Sequence, residues 1–286
     1  MHIISSAAEM QRIALDCKRS SKLIGVVPTM GYLHAGHASL IRAAHEECDI
    51  VITTIFVNPL QFAPTEDLSR YPRDLARDTA IASEAGTDML FTPTVEEMYT
   101  PDFAVNISIG GVTAPFEGEF RPTHFDGVAT VVAKLFLLTQ PDIAFFGQKD
   151  YQQCMVVQKM VRDLAFPLEV RICPTLREHD GLAMSSRNVY LSAEDRINAL
   201  VLHKALQEAQ RLVESGERTR SRIEDLMKSI VVSMSIPHLR VDYIVAADAQ
   251  TLEQPDVFAE TQEIVLLLAL RLGSTRLIDN MVVRAV

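Results

Sequence analysis

Residues Ile50-Val51-Ile52-Thr53-Thr54-Ile55-Phe56-Val57 constrain the fold more than any other stretch of the chain. The run is apolar or β-branched almost throughout, and it is too short for a buried helix. A strand with no polar face is covered on both sides, the situation at the centre of a parallel sheet sandwiched by helices. Its neighbours fit that setting. Short apolar runs at 23–28, 88–92, 103–109, 142–146 and 168–173 read as further strands. Helical spacing appears between them at 6–19, 36–48, 73–85, 126–139 and 150–164. Alternating β and α elements predict an α/β fold, a doubly wound parallel sheet.

After about residue 175 the pattern changes. A polar loop at 177–188 leads into helical stretches at 193–214 and 219–235, then strand-like runs at 240–246, 262–270 and 276–284. The chain of 286 residues therefore divides into a larger α/β domain, 1–175, and a smaller C-terminal α+β domain, 176–286, hinged near Pro174.

Ligands of doubly wound sheets bind beyond the carboxyl ends of the strands. Three such ends carry chemistry. The first strand runs into Pro28-Thr29-Met30-Gly31-Tyr32-Leu33-His34-Ala35-Gly36-His37, the second into Asn58-Pro59-Leu60-Gln61-Phe62, and the strand at 142–146 into Gly147-Gln148-Lys149-Asp150. A strand, a Gly-containing turn and a helix start offer free N–H groups and the positive end of a helix dipole. Two imidazoles on that first turn, His34 and His37, add donors for a phosphate. A zinc reading with His45 fails for want of a further ligand at suitable spacing. Met184-Ser185-Ser186-Arg187 brings two hydroxyls and a permanent cation suited to phosphate oxygens.

Charge and composition narrow the partners. The net charge of −10 argues against a general affinity for nucleic acid or an anionic membrane surface. No apolar run reaches the roughly 20 residues of a membrane span. Cys17, Cys48, Cys154 and Cys173 form no C-x-x-C pair and read as free thiols. With no secretory signature at Met1-His2-Ile3-Ile4-Ser5, the expected setting is the cytoplasm.

The histidine and Ser-Ser-Arg segments resemble the paired signature loops of the nucleotidylyl-transferase superfamily. The resemblance becomes specific when further segments are added: Phe56 to Phe62, Tyr71-Pro72-Arg73, His124-Phe125-x-Gly127-Val128, Pro141 to Gln153, Met184 to Asn188, and Leu277-Ile278-Asp279-Asn280. Together and in this order they resemble the pantoate–β-alanine ligase family across nearly the whole chain. Gln148 stands where that family often has Glu, and Asp126 where it can carry a basic residue.

The resemblance implies a Rossmann-like fold and ATP-dependent joining of pantoate to β-alanine through a pantoyl adenylate. It implies catalytic roles for His34, His37, Lys149 and Arg187. ATP is expected along Met30, Gly31, Tyr32, Leu33, His34, Ala35, Gly36 and His37, at Gly147, Gln148, Lys149 and Asp150, and at Leu176, Met184, Ser185, Ser186 and Arg187. Gln61 is expected to meet pantoate and β-alanine, Gln153 pantoate, and Met30 the apolar part of pantoate. Mg²⁺ is expected on the ATP phosphates, with Asp78 as an outer partner, and the family implies a homodimer, for which 103–109 is a candidate contact. A cytidylyltransferase, a small aminoacyl-tRNA synthetase relative and a non-catalytic nucleotide-binding regulator are the competing readings.

Overall fold

The computed structural model describes residues 1–64 and 66–286, which form two compact units. The first comprises Met1–Gln148 and Gln152–Pro174, the second Lys149–Tyr151 and Thr175–Val286.

The first unit is a parallel sheet of six strands: β1 (His2–Ile4), β2 (Ile24–Thr29), β3 (Ile50–Ile55), β4 (Met89–Phe91), β5 (Ile143–Gly147) and β6 (Glu169–Cys173). Their spatial order is β1-β4-β3-β2-β5-β6. The winding direction reverses between β2 and β5, the crevice where doubly wound sheets take their ligands. Val26 pairs with Ala144, and three residues further on both strands end, at Thr29 and Gly147. Topology thus brings the Met30–His37 turn and Gly147-Gln148 to the same crevice.

Alternate side chains of the central strands feed two separate cores. Val26, Ile52, Phe91, Ala144 and Phe146 pack against α1 (Ala7–Arg19), α6 (His124–Thr139) and α7 (Tyr151–Asp163). Val27, Val51, Leu90 and Phe145 pack against α2 (Ala35–Glu47) and α3 (Leu75–Ala85). This division is why the β3 run has no polar face. The short helices α4 (Val95–Met98) and α5 (Glu117–Phe120) lie in the long connection from β4 to β5.

One expected strand of this unit is absent, and one strand present was not expected. Residues 103–109 form no strand. The Ile107 N–H donates to Thr130 Oγ1 on α6 at 2.9 Å, while Ile107 and Ile109 pack onto the α6 side of the core. The segment lies on a helix, so its alternating apolar residues mimic an edge strand. Conversely, His2–Ile4 forms a parallel edge strand beside β4, too short to show a period.

In the second unit, α8 (Ala193–Asn198), α9 (Leu200–Glu214) and α10 (Arg220–Ser233) precede an antiparallel sheet of β7 (Leu239–Asp248), β8 (Glu263–Leu272) and β9 (Thr275–Arg284), with β8 in the middle. The single helix expected over 193–214 is divided at Ala199. Val201, Leu202, Ala205, Leu206, Ala209 and Val213 recur at helical spacing on α9. They pack with Ile264, Leu266, Leu268, Leu270 and Leu272, one face of β8.

Candidate active site

The turn from β2 into α2 is built by backbone groups that other elements satisfy. The Thr29 hydroxyl donates to the Thr54 carbonyl at 2.6 Å and accepts from the Gly31 N–H at 3.1 Å. Gly31 has φ +84°, and a Cβ there would sit 2.9 Å from Ile55 Cγ2 and 3.1 Å from Asp78 Oδ2. Both the left-handed backbone and the close approach require glycine. Tyr32 continues the turn with φ +49°. Its N–H and that of Leu33 donate to the two oxygens of Asp78 on α3, at 2.7 and 2.6 Å.

Asp78 is 1% exposed. Burial raises its carboxyl above the usual range, against the pull of the Leu33 and Tyr32 N–H donors. The residue expected as an outer partner of Mg²⁺ therefore has both oxygens engaged in shaping the turn. Among the described residues, no three His, Cys, Asp or Glu are grouped to hold a metal ion.

His34 is the N-cap of α2, in extended backbone at φ −136°. Its Nδ1 accepts the Gly36 N–H at 3.1 Å, and His37 Nδ1 accepts the His34 N–H at 3.3 Å. This is a reciprocal capping box made of imidazoles in place of the usual hydroxyl and carboxylate. The ring centroids are 4.1 Å apart. A ring nitrogen that accepts an N–H carries no proton, so in each neutral ring the proton belongs on Nε2. The cap thus fixes two Nε2–H donors at the positive end of a helix.

A second turn, the 3₁₀ segment Pro59–Gln61 after β3, meets the first. Gln61 Nε2 donates to Met30 Sδ at 3.0 Å, which joins two of the three residues expected to hold pantoate. Asn58 fixes the other end of the glutamine amide, its Nδ2 donating to Gln61 Oε1 at 3.1 Å and to the Gly127 carbonyl at 3.0 Å. Asn58 Oδ1 accepts from the Tyr99 hydroxyl at 2.8 Å and the Leu60 N–H at 3.3 Å.

From the opposite side, the Gln61 carbonyl accepts from His124 Nδ1 at 3.0 Å and from Arg121 Nη2 at 3.3 Å. Arg121 Nη1 lies 3.1 Å from His124 Nε2, which must accept, so the proton of this ring is on Nδ1. Burial, with Arg121 adding to it, lowers His124 to about 4 and keeps the ring neutral. Glu66 pairs with Arg121, Oε1 to Nε at 2.6 Å and Oε2 to Nη2 at 3.0 Å. The sequence alone gives Arg121, His124 and Glu66 no role. His124 opens one of the segments that carry the family resemblance, whereas no motif includes Arg121 or Glu66.

Gln153 is half-buried near the start of α7. Its neighbour Gln152 holds the chain across from it, donating to the Val112 and Pro115 carbonyls at 2.8 and 2.7 Å and accepting the Glu117 N–H at 3.1 Å.

The second unit carries Lys149, Asp150, Leu176 and the Met184–Arg187 segment. Lys149 Nζ lies 3.6 Å from Asp150 Oδ1. Residues 177–188 fold back on themselves: Met184 N–H donates to the Leu176 carbonyl at 3.0 Å and Glu178 N–H to the Leu182 carbonyl at 2.8 Å. Ser185 then caps a 3₁₀ turn, its Oγ accepting the Arg187 N–H at 3.2 Å. The base of this loop is held by Arg177, which donates to Asp279 Oδ2 and Oδ1 at 2.6 and 2.9 Å. Asn188 Nδ2 braces it from within, bonding Glu178 Oε1 at 3.2 Å and the Ala183 carbonyl at 3.1 Å. No motif in the sequence marks Arg177 for this task.

Comparison with known proteins identifies the family and the fold. The family model described as Pantoate-beta-alanine ligase matches residues 2–282. Pantothenate synthetase of Moorella thermoacetica is 48% identical over 282 residues, covering 99% of this chain and 98% of the relative. That of Roseiflexus sp. is 48% identical over 285 residues, the full length of both. The crystal structure of pantothenate synthetase from Thermus thermophilus superposes with a TM-score of 0.90 at 46% identity, covering 98% of this chain and 99% of that one. The pantoate–β-alanine ligase of Francisella tularensis, solved in complex with β,γ-ATP and β-alanine, gives 0.80 at 32% identity, covering 98% and 97%. The chain, matched from end to end and carrying each of the signature segments, belongs to the pantoate–β-alanine ligase family.

Proposed function

We propose that this chain condenses pantoate with β-alanine at the expense of ATP, releasing AMP and pyrophosphate. The observation that carries the reading is the imidazole capping box at the β2–α2 turn, in a chain that matches the ligase family over residues 2–282. A carboxylate does not acylate an amine, because oxide would have to leave. In the first step a pantoate carboxylate oxygen attacks the α-phosphorus of ATP, and the bond to the β-phosphate bridging oxygen breaks. In the second, the β-alanine amine attacks the acyl carbon, loses a proton and expels AMP. Neither step needs a covalent protein intermediate, so positioning and charge stabilisation supply the catalysis.

Roles follow from each side chain's chemistry. His34 and His37 donate through Nε2 to phosphate oxygens as charge builds at the α-phosphorus. The backbone from Met30 to His37 lines ATP, and Gly147 and Gln148 border it at the end of β5. Lys149 neutralises phosphate charge, with Asp150 near the ribose and Leu176 against adenine. Met184 to Arg187 cover the β,γ-phosphates. Gln61, locked between Met30 and Asn58, reads pantoate and then the β-alanine carboxylate. Gln153 reads pantoate, and Met30 supplies apolar wall. Mg²⁺, held by phosphate oxygens and water, would add neutralisation at the β,γ-phosphates.

Pantoate-dependent exchange of pyrophosphate into ATP, followed by β-alanine-dependent AMP formation, tests the reading. Exchange that needs no pantoate, or that prefers CTP, refutes it. Suppression of both activities by a chelator, reversed by Mg²⁺, is the expected metal dependence. A homodimer in the cytoplasm completes the proposal, and sedimentation of the purified chain tests the dimer. No helix among the described residues is long and apolar enough to cross a membrane.

A further inference from the structure

The Asp279-Asn280 pair on β9 belongs to a segment to which the reaction assigns no role, yet it is among the most deeply buried polar pairs of the second unit. Asp279 is 3% exposed and Asn280 2%. Adjacent residues of a strand project to opposite faces. Asp279 lies opposite Leu268, on the face covered by α9 and α10, and Asn280 opposite Leu267, on the other. A carboxylate and an amide amid apolar strands destabilise the sheet unless each has a specific partner. Asp279 has the guanidinium of Arg177. Asn280 Nδ2 donates to the backbone carbonyl of Lys149 at 2.8 Å.

We propose that Asn280 is a positioning residue for Lys149, fixing the peptide plane from which the ammonium is delivered to phosphate. The inference rests on the phosphate role of Lys149 given above. Lys149 lies in a single 3₁₀ turn, Gln148–Asp150, between β5 and α7. Its side chain is a flexible four-carbon stem ending in a point charge, so the protein controls the charge chiefly by fixing the stem's root. The neighbouring carboxylate does this poorly: Asp150 Oδ1 is 3.6 Å from Nζ and half exposed, where an ion pair is weak. The chain just after the stem, by contrast, is held at two points. Asn280 takes the Lys149 carbonyl, and the Tyr151 hydroxyl donates to the Ala249 carbonyl at 2.5 Å. The chemistry also selects the residue type. A carbonyl needs a donor, so the near-isosteric Asn280→Asp, which sets a carboxylate against it, is expected to be worse than Asn280→Ala.

A double-mutant cycle on the full chain tests this, read by pantoate-dependent ATP–pyrophosphate exchange. Asn280→Ala is expected to lower kcat about 10- to 50-fold, the scale of a sub-ångström to 1 Å misplacement, with KM for pantoate within about twofold. In a Lys149→Ala background the same substitution should add less than about twofold, because the group it acts through is gone. Supplied with pantoyl adenylate, Asn280→Ala should release AMP on adding β-alanine at nearly the parental rate, since no triphosphate is then involved. Wild-type exchange in Asn280→Ala overturns the proposal. So does a loss that multiplies that of Lys149→Ala, or one that falls equally on both half-reactions, as general loosening of the sheet would give. Lys149→Ala at the parental rate refutes the phosphate role itself, whatever Asn280 does. Thermal melts accompany each variant, and should Asn280→Ala fail to fold, Asn280→Ser enters the same cycle with the same criteria.

Discussion

Gly127→Ala converts a packing observation into a kinetic one. Gly127 lies in the first turn of α6, with the Pro59–Gln61 segment directly against it. An ideal Cβ at 127 falls 2.3 Å from the Leu60 carbonyl oxygen, 2.5 Å from its carbon and 2.6 Å from the Gln61 nitrogen. Ordinary contact begins near 3.4 Å, so one methyl group must push this backbone by about 1.1 Å, which is 3.4 less 2.3. The obstructing atoms are main chain, so no rotamer change avoids the clash. Overpacking of this kind costs about 1–3 kcal/mol, and alanine returns roughly 1 kcal/mol through helix propensity. Net destabilisation is then on the order of 2 kcal/mol, about 4–8 °C in melting temperature for a unit of this size. The turn that moves carries Gln61, and a 1 Å misplacement of a substrate-holding group costs up to about 100-fold. The variant should therefore remain folded while kcat/KM for pantoate falls about 10- to 100-fold. The assay is pyrophosphate exchange at varied pantoate, beside a thermal melt. A folded Gly127→Ala with parental kcat and KM would show that this turn does not place Gln61 on the substrate.

Three further outcomes are expected. His37→Asn keeps an acceptor at the Nδ1 position but has no Nε2–H, so it should melt like the parent and lose adenylation more than about 100-fold; His37→Gln, which keeps a donor at that reach and loses the cap, should retain more turnover at about 0.5–2 kcal/mol lower stability. Parental turnover in the asparagine variant would remove the donor role. Asp78→Ala leaves the Tyr32 and Leu33 N–H groups without their acceptor, at about 1–3 kcal/mol each, partly offset by loss of a buried charge, so its urea midpoint should fall markedly. An unchanged midpoint would deny Asp78 its turn-holding role. His124 is held to about 4 in the fold against 6.5 ordinarily, so between these values the unfolded chain binds more protons and stability rises with pH. Acidifying from pH 6.5 to 5 should cost on the order of 2 kcal/mol through this group, and a His124→Gln variant should show a shallower acid limb in denaturant titrations.

Much of the first unit is legible in the sequence because β3 is apolar on both faces and helices with one apolar stripe lie between the strands. Residues 103–109 mislead because apolar alternation serves equally well to lay an extended segment on α6 as to enter a sheet. The break at Ala199 carries neither glycine nor proline to announce it. The site divides in the same way. Groups proposed to touch substrate sit in linear segments after strands and can be read directly. Groups that hold those segments act on backbone atoms far along the chain, Asp78 on Tyr32 across 46 positions and Asn280 on Lys149 across 131, and no local pattern betrays them. Asp78 shows the limit well: its carboxylate is visible in the sequence, but only the fold sets its oxygens against N–H groups.

The reciprocal bonds of His34 and His37 tie the integrity of a helix start to the acid–base state of two rings. Serine at 34 with glutamate at 37 would terminate α2 by the commoner chemistry and hold it at least as firmly. Such a protein would lack both ring donors and would place negative charge where the phosphates are proposed to bind. Stability alone therefore gives no reason for imidazole at this turn, whereas the proposed donor role does.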